Sequence, residues 1–136
     1  MSDAANLDER MEQTKAVIQL LDNWGVNAAD RMLLLGLPKE IKSRHMDQFR
    51  KSTPLPDTKE VNEHVSHLIG IYDALRTSYP TNEGMAAIWL KKANKKFDDR
   101  APLMTMIEGG LMGLMTVRAH LDCTFAWYWA EQSMKK

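Results

Sequence analysis

Residues 84–122 read GMAAIWLKKANKKFDDRAPLMTMIEGGLMGLMTVRAHLD, and this stretch decides the fold. An amphipathic helix carrying Trp89 and Leu90 runs into a polar loop, Lys91 to Arg100, that lacks helical period and holds five cations. Asn94, Asp98 and Asp99 suit turn or left-handed conformations, because their short polar side chains bond nearby backbone. Phe97 is the one large apolar residue of the loop and is expected to be its buried anchor. Pro102 and Leu103 start a new helical turn, Glu108-Gly109-Gly110 breaks it, and a last helix follows through Val117, Arg118 and Leu121. The pattern is helix, loop, helix, break, helix, with no strand alternation.

The rest of the chain reads the same way. Leu7, Met11, Ile18, Leu21 and Trp24 recur near helical spacing and predict a helix over about 6–24, stopped by Gly25. Asn27, with Asp30 three residues on, predicts a capped helix over 28–35. Gly36 ends that helix, and Pro38 is expected to open another over 38–51. Ser52 to Pro56 form a linker. Asp57 with Glu60 reads as a capping box for a long helix, 57–78, with Val61, Val65, Leu68, Ile69, Tyr72 and Leu75 on its inner face. Further helices are expected over about 82–92, 102–108 and 110–133. The fold class is therefore all-α, divided as 1–56, a connecting helix 57–80, and 81–136.

Bulk properties exclude several classes. The chain has 136 residues, with 18 basic and 18 acidic side chains, so no global field draws it to nucleic acid or membrane. The balance hides blocks: residues 1–30 hold six acids and two bases, 31–51 six bases and two acids, 91–100 five bases and two acids. A local basic patch for an anionic partner is therefore open to it. Cys123 is the only cysteine, which leaves no disulfide framework and fits a reducing, cytoplasmic setting. The start, MSDAANLDERMEQ, is not a leader peptide, and no apolar run nears the roughly 20 residues of a membrane span.

Each candidate site has a plainer reading beside it. Segment 28–51 has the outline of a helix-turn-helix, with Lys39, Lys42, Ser43, Arg44 and Lys51 on its second helix as candidate DNA contacts. Arg44 suits guanine, and Lys39, Lys42 and Lys51 suit phosphates. The plainer reading is a helical hairpin with a solvated basic face. Met32 stands where such a turn usually has a small residue, and Lys42 and His45 stand at expected core positions. His64 and His67, with Glu60 and Glu63, share one helix surface and offer part of a zinc or iron site. Histidines so placed are more often ordinary solvent or interface residues, and no third ligand has motif spacing. Ser43, Ser66, Thr105 and Cys123 lack the context of a nucleophile, so no catalytic residue and no cofactor is expected. Cys123, beside Ala119 and Ala126, is expected to be a buried, inert thiol.

The final helix carries an apolar stripe, Leu111, Leu114, Met115, Leu121, Phe125 and Trp129, and a stripe of small residues, Ala119, Cys123, Ala126 and Ala130. A helix apolar on most sides must bury most sides, in its own bundle or against a partner. Met104, Met106, Met112 and Met115 cluster around the glycine break, and methionine adapts to binding surfaces as readily as it fills cores.

Taken together, residues 84–122 resemble the toxin-binding domain of the MbcA/ParS/Xre antitoxins. LLLGLPKEIKSRHMDQFRKSTPLP and EHVSHLIGIYDALRTSYP are similar to the Xre-like helix-turn-helix and connecting helix that precede that domain. The resemblance covers roughly residues 24–122. The chain departs from the family pattern at His64, where arginine usually follows the glutamate; at Ala93, where a proline usually precedes the loop asparagine; and at Asp98 and Asp99, where small glycine-like residues usually follow the loop phenylalanine. The resemblance implies a non-enzymatic, cofactor-free antitoxin that holds an NAD-attacking RES-type toxin inactive. It also implies a homodimer and repression of its own operon. By the same resemblance the end of the last helix reaches the toxin, through Phe125, Trp127, Tyr128, Trp129, Gln132, Lys135 and Lys136. Two other classes stay open: a DNA-binding regulator without a toxin partner, and a small metalloprotein using His64 and His67.

Overall fold

The computed structural model describes the backbone of residues 2–78 and 83–134, and their side chains except those of 2–7, 43, 83 and 124–134. The chain is all-α: α1 Ser2–Trp24, α2 Ala28–Leu34, α3 Met46–Lys51, α4 Lys59–Ser78, α5 Glu83–Lys91 and α6 Pro102–Met134. No strand occurs among the described residues, and no helix among them is long and apolar enough to cross a membrane.

The caps explain where the first helices stop. α1 ends at Trp24, before Gly25 at φ +68°. Asn27 then accepts a hydrogen bond from the Asp30 N–H at 2.8 Å, the expected start of α2. Asp22, in the last turn of α1, receives Arg31 at 2.7 Å and a two-pronged bond from Arg50 at 2.6 and 2.9 Å. These guanidinium groups, Arg50 first, hold its carboxyl down at about 2 against a smaller opposing effect of burial. Arg31 also donates to the Val26 carbonyl at 2.7 Å, so one acid staples the ends of α1, α2 and α3 together.

The expected helix over 38–51 is corrected. Residues 38–42 form turns, Ser43–His45 a 3-10 turn, and only Met46–Lys51 is α-helix. The His45 ring accepts from the Lys42 N–H at 2.9 Å, a local bond that competes with helix continuation. Met46 and Phe49 supply the buried face. The linker after α3 is tied down. Leu55 is buried, its N–H donates to buried Thr14 at 3.0 Å, and its carbonyl accepts from Arg10 at 2.6 Å.

The cap of α4 is also corrected: Thr58, not Asp57, accepts from the Val61 N–H, at 3.1 Å. Asp57 instead meets Arg10 at 3.2 Å and Asn62 at 2.9 Å. The inner face of α4 is Val61, His64, Val65, Leu68, Ile71 and Leu75; Ile69 and Tyr72, expected there, are only half-buried.

α6 is two helices in one, as the glycines foretold. Gly110 (φ 59°, ψ −138°) kinks it, and Gly113 then packs directly on the Thr105 carbonyl, where a Cβ would not fit. The second half runs beside α4 and buries Leu114, Val117 and Leu121. Among the described residues the helices α1 to α6 share one contiguous apolar core, from Val17 on α1 to Leu121 on α6.

Arg118 fixes the α4–α6 contact. It lies over Gly70, where a Cβ would sit 2.5 Å from its guanidinium carbon, and donates to His67 Nδ1 at 3.2 Å. That bond requires His67 to be neutral with its proton on Nε2. Burial first, then the Arg118 cation, push its pKa below the usual histidine range, with Glu63 opposing. Protons therefore bind the unfolded chain better than the folded one. Stability is full above the ordinary histidine pKa of about 6.5 and falls as pH drops below it. Urea melts at pH 7.5 and 5.5 should show this loss, and His67→Gln should reduce it.

Candidate partner-binding surface

The loop after α5 is built by one asparagine. The Asn94 side chain accepts from the Lys96 N–H at 2.9 Å, its carbonyl accepts from Phe97 and Asp99 at 2.9 and 3.1 Å, and its N–H donates to Arg100 at 3.1 Å. Four residues thus close on Asn94, with a 3-10 turn at Lys95–Phe97. Asp98 and Asp99 both take left-handed backbone, φ 57° and 62°. Left-handed backbone is the conformation that favours glycine, and here two aspartates adopt it.

Phe97 is buried as expected. It meets Trp89 edge-on, with ring centroids 6.1 Å apart, and the His120 ring of α6 at 5.2 Å. Trp89 and His120 stack at 6.3 Å. Three aromatic rings thereby join α5, the loop and α6, while Leu90, Leu103 and Met106 fill the core behind them. Arg100 reaches across to Glu108 at the end of the first half of α6.

The outer face of α6 is different. Met112 is 72% exposed and Met115 46%, with Ala119 and Cys123 exposed on the turns that follow. Cys123 is therefore not the buried thiol expected from its apolar neighbours. Within the methionine cluster only Met106 is core. α4 and the second half of α6 run in the same direction, since Glu60 and His64 flank Gly110 and Leu111 while His67 and Gly70 flank Arg118. From Arg118 to Met134 the helix rises roughly 24 Å, and from Gly70 to Ser78 about 12 Å, so among the described residues α6 extends about two turns beyond α4. The side chains of Phe125, Trp127, Tyr128, Trp129 and Gln132 lie outside the described residues, as do Lys135 and Lys136 altogether.

The other candidates are dispersed. Lys39, Lys42, Arg44 and Lys51 are exposed, but on turns, a 3-10 segment and the end of α3, not on one reading helix; the Ser43 side chain lies outside the described residues. His64 and His67 do not converge. His64 is buried, bonds the Leu34 carbonyl through Nδ1 at 2.9 Å, and lies flat under Gly36 (φ +66°), where a Cβ would sit 2.7 Å from the ring. Sequence reasoning missed this role, because its signal, the glycine turn at Gly36 that leaves room for a ring, lies one helix away from His64. No cluster of three metal-ligating side chains occurs among the described residues.

No family model matches the chain. A protein of Sinorhizobium fredii (strain NBRC 101917 / NGR234), described as "Uncharacterized protein y4oB", is 31% identical over 121 residues, spanning 89% of this chain and 88% of that protein.

Two outcomes test the loop. Truncating the anchor, Phe97→Ala, should cost about 3–5 kcal/mol in a denaturant melt, because a buried ring leaves a cavity between two helices. Replacing Asp98 and Asp99 with glycine should instead stabilise, by up to about 1 kcal/mol at each site, since glycine takes left-handed backbone without steric cost. A lowered melting temperature in the glycine variants would show that the aspartates hold the loop by some other means.

Proposed function

We propose that this chain, which belongs to the family of the Sinorhizobium fredii protein y4oB, is an antitoxin that binds a RES-type or related toxin and covers the pocket where that toxin handles NAD. The observation that carries this reading is the outer face of α6. Large sulfur-bearing side chains, Met112 and Met115, stand in solvent on a helix that outruns its neighbour and continues into an aromatic sequence, Phe125 to Trp129. Adaptable methionine side chains exposed on one helix face suit a protein partner. The loop geometry supports the same reading, since left-handed positions fall where the antitoxin family places glycine-like residues.

In the proposed mechanism the rings of Trp89, Phe97 and His120 fix the angle at which α6 leaves the body. The tail residues Phe125, Trp127, Tyr128 and Trp129 anchor on the toxin, and Gln132, Lys135 and Lys136 occlude its pocket. The chain performs no chemistry in this scheme and uses no cofactor. Repression of its own operon, through the exposed Lys39, Lys42, Arg44 and Lys51, is the lesser part of the proposal. Without a continuous second helix these cations suit phosphate contacts better than base reading.

The test pairs a growth assay with thermal melts, co-expressing a RES-type toxin. A chain ending at Asp122 should still melt cooperatively and fail to rescue growth. Because truncation can also disturb folding, Met112→Glu with Met115→Glu serves as a second variant. Both side chains are exposed, so the melt should hold while rescue weakens. Full protection by folded forms of both would refute occlusion by α6.

A further inference from the structure

A cleft of about 400 Å³ opens where α2, α4 and the kink of α6 meet. Its apolar walls are Met32, Leu33, Leu37 and Leu111, and Leu33 is 55% exposed. Two glycines keep it open. Gly36 presents bare backbone, and nothing lies within 4 Å of the point where a Cβ on Gly110 would stand. The volume is that of a small-molecule site, and so is the pairing of apolar walls with few polar groups.

Both polar side chains of the cleft, Glu60 and His64, come from α4, one turn apart. His64 is only 4% exposed. Its Nδ1 faces the Leu34 carbonyl, which can only accept, so the proton sits there and the neutral ring carries its lone pair on Nε2. No described residue bonds Nε2. Every described side-chain polar atom that is sealed from solvent has a partner, so Nε2 is reached from outside, and the ring lines this cleft. The buried histidine thus gives one nitrogen to the fold and turns the other to a cavity. Glu60 is exposed and forms no ion pair among the described residues. No lysine or arginine lines the cleft. Its side chains therefore accept hydrogen bonds and carry negative charge, and none of them donates.

We propose that this cleft binds a small organic cation, an amine or amidine on an apolar body, whose N–H groups go to the Glu60 carboxylate and to His64 Nε2. The bond to Glu60 is charge-assisted, and the apolar body lies on the leucine and methionine walls. An anion would meet Glu60 with like charge, and a purely apolar ligand would strip Nε2 of water and leave it unpaired. The proposal concerns the chain alone and does not rest on the antitoxin reading.

The probe is benzamidine, which joins a flat apolar ring to two nitrogen donors and a positive charge. It is titrated into the full chain at about pH 8, above the ordinary imidazole range, and followed by long-range proton–nitrogen NMR of the histidine rings. Saturable binding with a Kd in the millimolar range or tighter is expected, ordinary for a fragment of this size. It should move the His64 Nε2 signal, leave the His45 ring unmoved, and raise the melting temperature. Benzoate, with the same ring and the opposite charge, should not bind. Glu60→Gln should weaken binding by about tenfold, because it removes the charge from the bond. His64→Asn offers an amide N–H to the Leu34 carbonyl but has no counterpart of Nε2, and it should weaken binding by a similar factor. Should His64→Asn fail to fold, the exposed Glu60→Gln and the His64 signal of the unaltered chain decide. No saturable binding, equal binding of benzoate, a Kd unmoved by Glu60→Gln, or binding that leaves the His64 Nε2 signal in place would each overturn the proposal.

Discussion

At Gly110 the backbone takes φ 59° and ψ −138°, a combination that residues with a Cβ rarely reach. The course of the second half of α6 follows from this one residue. Without the kink, α6 would continue straight on from its first two turns. With it, Gly113 settles on the Thr105 carbonyl and the second half of the helix is laid along α4. That placement sets the phase of the helix, sending Leu114, Val117 and Leu121 into the core and Met112, Met115, Ala119 and Cys123 to the outside. Gly70 completes the contact from the other side, leaving room for Arg118 to lie against α4 and bond His67. Two backbone approaches and one guanidinium therefore decide which side of α6 any partner can see.

The N-terminal half is held by different physics. Two of its helices, α2 and α3, are short, and short helices draw little stability from their own hydrogen bonds. Asp22 compensates by gathering Arg31 and Arg50 at the end of α1, while Arg10 and Thr14 bind the backbone of Leu55. The Thr14 bond is fully buried and leaves no unsatisfied polar atom, whereas Arg50 is half exposed and its pair is screened. The buried bonds and the core residues Trp24, Leu34 and Phe49 therefore outweigh the outermost ion pair in fixing this half. A consequence is that the basic block 31–51 is partly spent on structure, with Arg31 and Arg50 engaged and only the lysines and Arg44 left to solvent.

The all-α class and most boundaries were legible because caps and breakers act locally. Gly25, Asn27, Gly36, the 109–110 pair and the buried Phe97 each do what their chemistry prescribes whatever surrounds them. The failures are non-local. A helix over 38–51 fits propensity, but His45 offers its ring to the Lys42 N–H and Met46 and Phe49 must reach the core, so the chain turns before it coils. Thr58 displaces Asp57 as the cap because Arg10, far away in sequence, draws off the aspartate. His64 looked like a solvent or metal-site residue, since nothing in its own helix announces that the Leu34 carbonyl needs a donor. Cys123 sits among small apolar neighbours yet faces out, because the kink at Gly110 sets the helix phase. The candidate binding face was legible only as an excess of apolar residues; which of them face solvent depends on that kink.

The loop between α5 and α6 links these levels. Two aspartates in left-handed backbone carry a conformational cost, and the loop keeps them because Asn94 gathers its hydrogen bonds and Phe97 is gripped by Trp89 and His120. His120 belongs to α6, so the same ring contact that seals the loop also pins the helix that leaves it. A change in the loop is therefore felt in the direction of α6, and a load on α6 is felt in the loop. For a protein whose outward face and projecting end are carried by one helix, that coupling supplies rigidity, because a helix pinned at both Thr105 and His120 presents its far end at a fixed angle. Preorganisation of this kind lowers the ordering cost of binding, which is where a small domain with few contacts gains most.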